Sequence, residues 1–110
     1  MINFTEKKGF SLKFEFLSQK LEDLYTKLRG QNKYPPEIVD AFFEKMDVIR
    51  NAKDERDLYA LKSLHYEKLQ GTRKDEKSIR LNKQWRLTLK VIERKNENHL
   101  QIIKIENHYK

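Results

Sequence analysis

The chain has 110 residues, with 24 lysines and arginines, 17 aspartates and glutamates, no cysteine and a formal net charge of +7. That length predicts a single domain over residues 1–110 with a modest core. Without cysteine there can be no disulfide, thiolate metal site or cysteine nucleophile, and three isolated glycines make no phosphate-binding loop. No apolar run approaches the roughly 20 residues of a membrane span, and the N-terminus lacks the apolar segment of a signal peptide. We therefore expect a cytoplasmic protein with no membrane contact.

The excess positive charge lies entirely in the C-terminal half. Residues 1–57 carry 11 basic and 11 acidic side chains, whereas residues 58–110 carry 13 basic and 6 acidic ones. A basic half beside a neutral half is typical of a surface that faces a polyanion such as nucleic acid. A solvated lysine-rich surface, or a surface that meets an acidic protein, would have the same composition, so charge alone leaves these alternatives open.

The chain begins with a predicted short strand and a predicted helix. Apolar-polar alternation indicates the strand at residues 2–5. Apolar side chains then recur at helical steps of three and four from Phe10 to Leu28, and Gly30 follows where a helix commonly stops. The residues from Phe10 to Phe16 also alternate with period two, but the later leucines fit no strand. We therefore assign the whole segment to the helix.

A second helix is predicted after two prolines. Pro35 and Pro36 break the chain, and proline is well tolerated at the first position of a helix. Five apolar residues form its buried stripe: Val39, Phe42, Phe43, Met46 and Ile49. The segment from Asp54 to Leu61 is predicted to be a short helical turn or a loop.

Beyond Leu64 the apolar period changes to two, which predicts strands. Strands are expected around Ile79–Leu81 and Trp85–Val91, and a last strand over Leu100–Glu106 follows a polar turn at Glu93–Asn98. The order predicts an α+β domain with a short N-terminal strand, two helices and an antiparallel meander. The meander is expected to form a four- to five-stranded sheet.

Arg80 and Arg86 are predicted to lie opposite each other across a hairpin. A three-residue loop at 82–84 pairs Leu81 with Trp85 and keeps the apolar side chains on one face, whereas a two-residue loop would mix polar and apolar side chains. The asparagine of this loop tolerates the left-handed conformation that such loops need. Like charges directly opposite destabilise a sheet by up to roughly 1 kcal/mol, and a phosphate between the guanidiniums would turn that repulsion into attraction. Nearby carboxylates or solvent could also neutralise the pair.

The segment from Leu64 to Leu87 carries the most specific pattern in the chain. It reads LHYEKLQGTRKDEKSIRLNKQWRL and resembles the plasmid-maintenance killer family of toxins, the HigB branch of the RelE-like superfamily. That family typically ends this segment with S-I-R-[IV]-N-x-Q-W-R-[IL]. The resemblance implies a fold similar to microbial ribonucleases and cleavage of mRNA, commonly on the ribosome. It also implies neutralisation by a HigA-type helix-turn-helix antitoxin.

The same resemblance points to candidate site residues. Arg86 matches the phosphate-binding arginine of the family, and Glu67 or His65 lies in the segment where other members place a functional histidine or glutamate. His108 matches the histidine that ends the family's Asp-Tyr-His motif, although the triplet here is Glu106-Asn107-His108. Further cationic side chains are predicted to contact RNA phosphates: Arg80, Lys68, Arg73, Lys90 and Lys104.

The reaction that the resemblance implies is a transesterification. The 2′-hydroxyl attacks the adjacent 3′ phosphodiester and leaves a 2′,3′-cyclic phosphate and a 5′-hydroxyl. This needs a base at the 2′ oxygen, an acid at the leaving 5′ oxygen and cations at the phosphorane, so we predict no metal and no cofactor. Arg86, supported by Arg80, is assigned to the phosphorane, Glu67 or His65 to the base, and His108 to the acid or base.

Bland alternatives remain for each of these residues. His65 could be an ordinary surface residue, Glu67 could neutralise Lys68 or Lys104, and His108 could be frayed near the terminus. Two other functions on the same fold also stay open. One is a toxin that inhibits gyrase, and the other is a non-catalytic protein that binds RNA or the ribosome.

Overall fold

A computed structural model describes residues 12–108, and within that range the chain forms three α-helices and a five-stranded sheet. In chain order the elements are β1 (Lys13–Phe16), α1 (Gln19–Lys27), α2 (Pro36–Asn51), α3 (Glu55–Ala60), β2 (Glu67–Lys68), β3 (Lys77–Arg80), β4 (Trp85–Arg94) and β5 (Glu97–Asn107). The predicted α+β class and the predicted size of the sheet are confirmed. The strand predicted at residues 2–5 lies outside the described residues. None of the helices within 12–108 is long and apolar enough to cross a membrane.

The strands are ordered β1-β5-β4-β3-β2, with β1 parallel to β5 and every other neighbour antiparallel. Period-two alternation along β4 turns Leu87 and Leu89 toward the helices, where both are fully buried. Arg86, between Trp85 and Leu87 in the sequence, points to the other face. The helices contribute the matching apolar side chains of the core: Leu21, Leu24, Ile38, Phe42, Met46 and Ile49. One face of the sheet is therefore covered by helices, and the second face carries the arginines.

The segment Lys13–Phe16 is a strand, so the prediction that it begins the first helix is wrong. It pairs in parallel with β5, and the N–H of Leu17 continues the ladder by donating to the carbonyl of Ile102 at 2.8 Å. Ser18 then begins α1, because its hydroxyl accepts a hydrogen bond from the N–H of Leu21 at 3.4 Å. The period-two alternation was the correct signal here, since pairing with β5 satisfies the backbone that a helix would have satisfied internally.

The hairpin between β3 and β4 has the predicted register, with Arg80 directly opposite Arg86. The loop closes through the side chain of Asn82, whose Oδ1 accepts hydrogen bonds from the N–H groups of Gln84 and Trp85, both at 2.8 Å. Asn82 does not have a positive φ, so the predicted left-handed conformation is wrong. An asparagine side chain that binds the backbone two or three residues ahead closes a turn without it.

A bulge in β5 keeps the apolar side chains on the core face. The pairing with β4 shifts by one residue at Ile103, which is left as the extra residue of the bulge. Ile102 before it and Ile105 after it are both buried, although their spacing does not fit a simple alternation. The shift also fixes Glu106 directly opposite Arg86.

The turn between β4 and β5 is shorter than the predicted polar turn over Glu93–Asn98. Arg94 pairs with Glu97, which leaves only Lys95 and Asn96 between the strands. Both residues have positive φ, 51° and 67° respectively, as in a type I′ turn. Asparagine and glycine favour this conformation, whereas lysine has a Cβ and no side-chain group that offsets its cost.

Replacing this turn by the double substitution Lys95→Asn/Asn96→Gly is expected to stabilise the protein. Both new residues adopt positive φ more readily, so the free energy of unfolding should rise by about 1 kcal/mol. Urea denaturation followed by circular dichroism measures the change. Lys95→Ala removes the same charge without relieving the backbone, and should give no gain. An unchanged or lower stability of the double variant would contradict the turn geometry.

Candidate functional site

Two arginines from neighbouring strands lie on the face that the helices leave open, at the end of the sheet where the β3–β4 loop is. Arg80 ends β3 and Arg86 is the second residue of β4, and as direct cross-strand partners they point to the same side of the sheet. Arg80 is exposed and Arg86 is partly exposed. Among residues 12–108, neither guanidinium lies within 4.0 Å of a carboxylate oxygen. The two cations are therefore positioned to bind an anion together.

Each of these arginines contacts a histidine. Nη1 of Arg80 is 3.2 Å from Nε2 of His65, and Nη2 of Arg86 is 2.5 Å from Nδ1 of His108. A guanidinium can only donate, so both imidazole nitrogens are acceptors, and the proton of each neutral ring is on its other nitrogen. The site thus combines two cations with two imidazole rings, the side chain that most often serves as a general acid or base.

His65 is held by an unusual backbone conformation and by a buried neighbour. Its φ of 48° ends the 3₁₀ turn at 62–64, where its N–H donates to the carbonyl of Lys62 at 3.1 Å. The next residue, Tyr66, is buried and donates its hydroxyl hydrogen to Glu55 of α3 at 2.8 Å. The same carboxylate forms an ion pair with Lys77 of β3. The chain on the C-terminal side of His65 is therefore anchored to both a helix and a strand.

Two groups of this anchor, Tyr66 and Lys77, have raised pKa values, so near neutral pH the tyrosine is uncharged and the lysine is charged. Burial, together with the hydrogen bond to Glu55, raises the pKa of Tyr66. Burial alone would lower the pKa of Lys77, but hydrogen bonds to Glu55 and Tyr59 raise it above its ordinary value. The Lys77 ammonium also lies 5.3 and 5.4 Å from the ring centroids of Tyr59 and Tyr66. The cluster thus supports His65 from the helix-covered side of the sheet.

His108 is positioned by the end of β5 beside the hairpin loop. Its N–H donates to the carbonyl of Gln84 at 2.5 Å, which ties the residue after β5 to the β3–β4 loop. The neighbouring Trp85 is partly buried against the core and packs edge to face on Tyr34, with ring centroids 6.0 Å apart. This hydrogen bond holds the backbone of His108 at the pocket, which counts against the alternative that the residue is frayed.

These side chains line a single open pocket of about 170 Å³. All four predicted catalytic residues are among its lining residues: His65, Glu67, Arg86 and His108. The loop residues Asn82, Lys83 and Gln84 also line it, and the sequence analysis did not identify them as site residues. Their place between Arg80 and Arg86 was the available signal, because the predicted register already puts that loop at the edge of the site. In the described part of the chain no three His, Cys, Asp or Glu side chains are grouped as metal ligands.

The cationic residues predicted to contact RNA are divided between the two faces. Arg80 lines the pocket. Lys104 lies on the same face because it pairs with Thr88 of β4, and Lys90 does so because it follows Arg86 by four residues in that strand. Lys68 follows Glu67 in β2, and successive side chains of a strand point to opposite faces. Glu67 faces the pocket, so Lys68 lies on the opposite, helix-covered side and does not join the site.

Arg73 forms ion pairs with two carboxylates and does not line the pocket. Its Nη1 and Nη2 atoms are 3.0 and 2.8 Å from the two oxygens of Glu106, and its Nη2 is 2.8 Å from Glu76. The Glu106 oxygen Oε1 is also 3.7 Å from the Lys104 ammonium. Hydrogen bonds from Arg73 hold the pKa of Glu106 below its ordinary 4.5, with smaller contributions from Lys104 and Arg86. Glu106 therefore binds Arg73, and the contact of Arg73 with RNA phosphate stays a prediction.

The Arg73–Glu106 pair predicts a pH dependence of stability. The pKa of Glu106 is lower in the folded than in the unfolded chain, so its ionised form stabilises the fold above about pH 4.5 and this contribution is lost as the pH falls further. Glu106→Gln removes the titrating carboxylate, so it should reduce the loss of unfolding free energy between about pH 6 and pH 3. Urea denaturation across that range measures it, with Glu93→Gln, at an exposed position of β4, as a charge-matched control. An acid profile of Glu106→Gln equal to that of wild type would contradict this contribution of Glu106.

The sequence matches known toxins over most of its length. A family model described as HigB-like toxin, a RelE-like toxin of the type II toxin-antitoxin system HigB, matches residues 10–108. Toxin HigB-1 of Vibrio cholerae is 36% identical over 73 residues, which are 66% of this chain and 77% of that protein. The region that the family model matches includes the hairpin, the residues that line the pocket and His108.

Solved structures of related toxins have the same fold. The YoeB–YefM complex of Staphylococcus aureus matches with a TM-score of 0.56 at 23% identity, over 89% of this chain and 98% of that one. The DinJ–YafQ toxin-antitoxin complex of E. coli matches with a TM-score of 0.56 at 17% identity, over 90% and 94%. A YoeB/ParE toxin of Agrobacterium tumefaciens has a TM-score of 0.55 at 17% identity, over 89% and 100%. At these identities the likeness concerns the fold alone.

Proposed function

Because the chain belongs to the HigB-like family of RelE-like toxins of type II toxin-antitoxin systems, we propose that it is an endoribonuclease that cleaves mRNA. The observation that carries this proposal is the pair of opposed guanidiniums, Arg80 and Arg86, each in contact with a histidine. The cut is a 2′-hydroxyl transesterification that stops translation and growth. It needs neither a metal nor a small-molecule cofactor.

The arginine pair binds the scissile phosphate. The side chains repel each other in the free protein, because they are direct cross-strand neighbours without a carboxylate within 4.0 Å among residues 12–108. A guanidinium has five N–H donors. The contact with a histidine uses one of them on each arginine, and Nε of Arg80 also donates to the carbonyl of Asn82 at 3.4 Å. The remaining donors bind the non-bridging oxygens, and the phosphate neutralises both cations. Arg86 stabilises the additional negative charge of the phosphorane, and Arg80 supports it.

The histidines provide the proton transfers. His65 contacts Arg80 on the β3 side, and His108 contacts Arg86 at the end of β5, so the two rings flank the arginine pair. In-line attack by the 2′ oxygen and departure of the 5′ oxygen take place on opposite sides of the phosphorus. A base on one flank and an acid on the other match that requirement. Glu67, exposed at the rim of the pocket beside Ser78, is the alternative base.

Messenger RNA on the ribosome is the proposed substrate, in the cytoplasm, and a helix-turn-helix antitoxin is the proposed inhibitor. The chain as a whole carries a net charge of +7, and its excess positive charge lies in residues 58–110, the part of the sequence that contains β2 to β5. Its positive charge would be attracted by the phosphates of ribosomal RNA. Two of the proteins with the same fold were solved as toxin-antitoxin complexes, which supports an antitoxin partner.

The proposal is tested by mapping RNA ends. Purified protein is added to a defined mRNA, alone and in a translating ribosome extract, and the products are mapped by primer extension. We expect new 5′-hydroxyl ends with matching 2′,3′-cyclic phosphates, and no cut where the attacking ribose is 2′-deoxy. The proposal would be overturned if cells that express the protein stopped growing and their mRNA, mapped in the same way, showed no new ends. Loss of DNA supercoiling in those cells would identify a gyrase inhibitor.

A further inference from the structure

We infer that Arg73 is a positioning residue that holds the Glu106 carboxylate away from Arg86 and so leaves Arg86 available for phosphate. The inference rests on the proposed function and extends it to a residue outside the pocket. Arg73 lies in the 3₁₀ turn before β3, whereas Glu106 is near the end of β5. They are 33 residues apart in the chain and meet only in the folded protein.

Glu106 is well placed to neutralise Arg86. The two residues are direct partners across β4 and β5, and their side chains point to the same face. Directly opposed residues have Cβ atoms about 4.5–5.5 Å apart, within reach of an ion pair. Among the described residues, however, no Glu106–Arg86 ion pair is formed within 4.0 Å. Both carboxylate oxygens of Glu106 instead bind Arg73, at 2.8 and 3.0 Å.

Loss of Arg73 would redirect Glu106. Its side chain is only 21% exposed, and a partly buried carboxylate that loses its partner is costly unless another cation replaces it. Two cations are near: Lys104, already 3.7 Å away on a 57% exposed side chain, and Arg86 directly across the strand. Arg86 offers two parallel N–H donors, which a lysine cannot. Glu106 would therefore bind Arg86 and compete with the phosphate of RNA.

Three variants separate this role from general support of the loop. Arg73→Met breaks the pair and leaves the competing carboxylate, Glu106→Gln removes the carboxylate charge, and Arg73→Met/Glu106→Gln does both. Affinity is measured for an RNA with 2′-O-methyl riboses, which cannot be cut. We expect the Arg73→Met variant to bind about tenfold more weakly than wild type. The double variant should recover to within about threefold of the Glu106→Gln variant.

The double variant makes the test decisive. It lacks the Arg73–Glu106 ion pair just as the Arg73→Met variant does. If that loss only loosened the loop, the affinity for RNA would fall equally in both variants. Equal weakening, or wild-type affinity in the Arg73→Met variant, would overturn the inference. A pH titration adds a second readout, because protonation of Glu106 at a pH below its ordinary pKa of 4.5 should restore binding in Arg73→Met relative to the double variant.

A measurement without RNA distinguishes this inference from the proposed nuclease function. Inorganic phosphate is titrated into each variant, and the Nε–Hε signal of Arg86 is followed by NMR, with Arg86→Lys used to assign it. We expect a shift in wild type and in the double variant, and a weaker response in Arg73→Met. An Arg86 signal that phosphate leaves unmoved in wild type would overturn the role of Arg73, whereas a positive result stands even if the protein cuts no RNA.

Discussion

Arg86→Ala is expected to lower the rate of RNA cleavage by about 100- to 1000-fold, the usual effect of removing one preorganised donor from a transition state. The side chain lies on the open face beside Arg80 and contacts His108. On the proposed mechanism its loss therefore removes both a contact to the phosphorane and a partner of the histidine that transfers a proton. The protein should remain folded, because Arg86 is not part of the core. Cleavage is measured with the defined mRNA, and folding by circular dichroism.

Two other variants sharpen this prediction. Arg86→Lys keeps the positive charge and loses the planar pair of donors, so it should retain only part of the activity. Arg94→Ala removes an arginine from the far end of the same strand, where it forms an exposed ion pair with Glu15 at 2.9 Å. That variant should stay folded, since exposed ion pairs contribute little to stability. It should also cleave at the wild-type rate, because Arg94 does not line the pocket. A folded Arg86→Ala protein with full activity would exclude Arg86 from the mechanism.

Leu87→Ala is expected to lower the free energy of unfolding by about 2–5 kcal/mol. Leu87 follows Arg86 in β4, is fully buried, and lies between Ile79 of β3 and Ile105 of β5. Truncation leaves a cavity at the centre of the sheet, and neighbouring strands cannot close it without losing their hydrogen bonds. Urea denaturation measures the loss, which is a large part of the 5–15 kcal/mol typical of a domain.

Val91→Ala is the matched control for this substitution. Val91 has the same orientation in β4 but is only partly buried, so truncation should cost clearly less. A loss below about 1 kcal/mol in Leu87→Ala would contradict the burial of the β4 core face. The variants at 86 and 87 together test the two-faced sheet, since adjacent residues should affect activity and stability separately.

The arrangement at the pocket has a mechanistic consequence for substrate binding. In the free protein each arginine donates to a histidine nitrogen, at 3.2 Å for His65 and 2.5 Å for His108. A phosphate that draws the guanidinium donors to its own oxygens releases those nitrogens for proton transfer. On the proposed mechanism the freed nitrogen of one ring can then accept the 2′-hydroxyl proton, whereas the other ring can act as the acid only after its freed nitrogen has taken up a proton.

Local patterns in the sequence were sufficient for the central hairpin. Strict alternation on both sides of residues 82–84 allowed only one register that keeps Ile79 and Leu87 on the same face, and that register put Arg80 opposite Arg86. A shift by one residue would bury the arginines, which is too costly. The long second helix was equally predictable, because its apolar stripe recurs at helical spacing after the prolines. The residues of the resemblance then named four of the side chains that line the pocket.

Tertiary contacts decided what local patterns could not. The residues of β1 fit both a helix and a strand until β5 offered a parallel partner for their backbone. The bulge at Ile103 became visible only when the pairing with β4 was known.

The ion pair of Arg73 with Glu106 joins residues 33 positions apart, and neither residue carries a mark of its partner in the sequence. Such contacts depend on where distant backbones meet, whereas alternation depends only on the geometry of one strand. The sequence by itself therefore determined the fold class and the opposed arginines. The folded chain decided which charges are neutralised by ion pairs and which arginines have no carboxylate within 4.0 Å among residues 12–108.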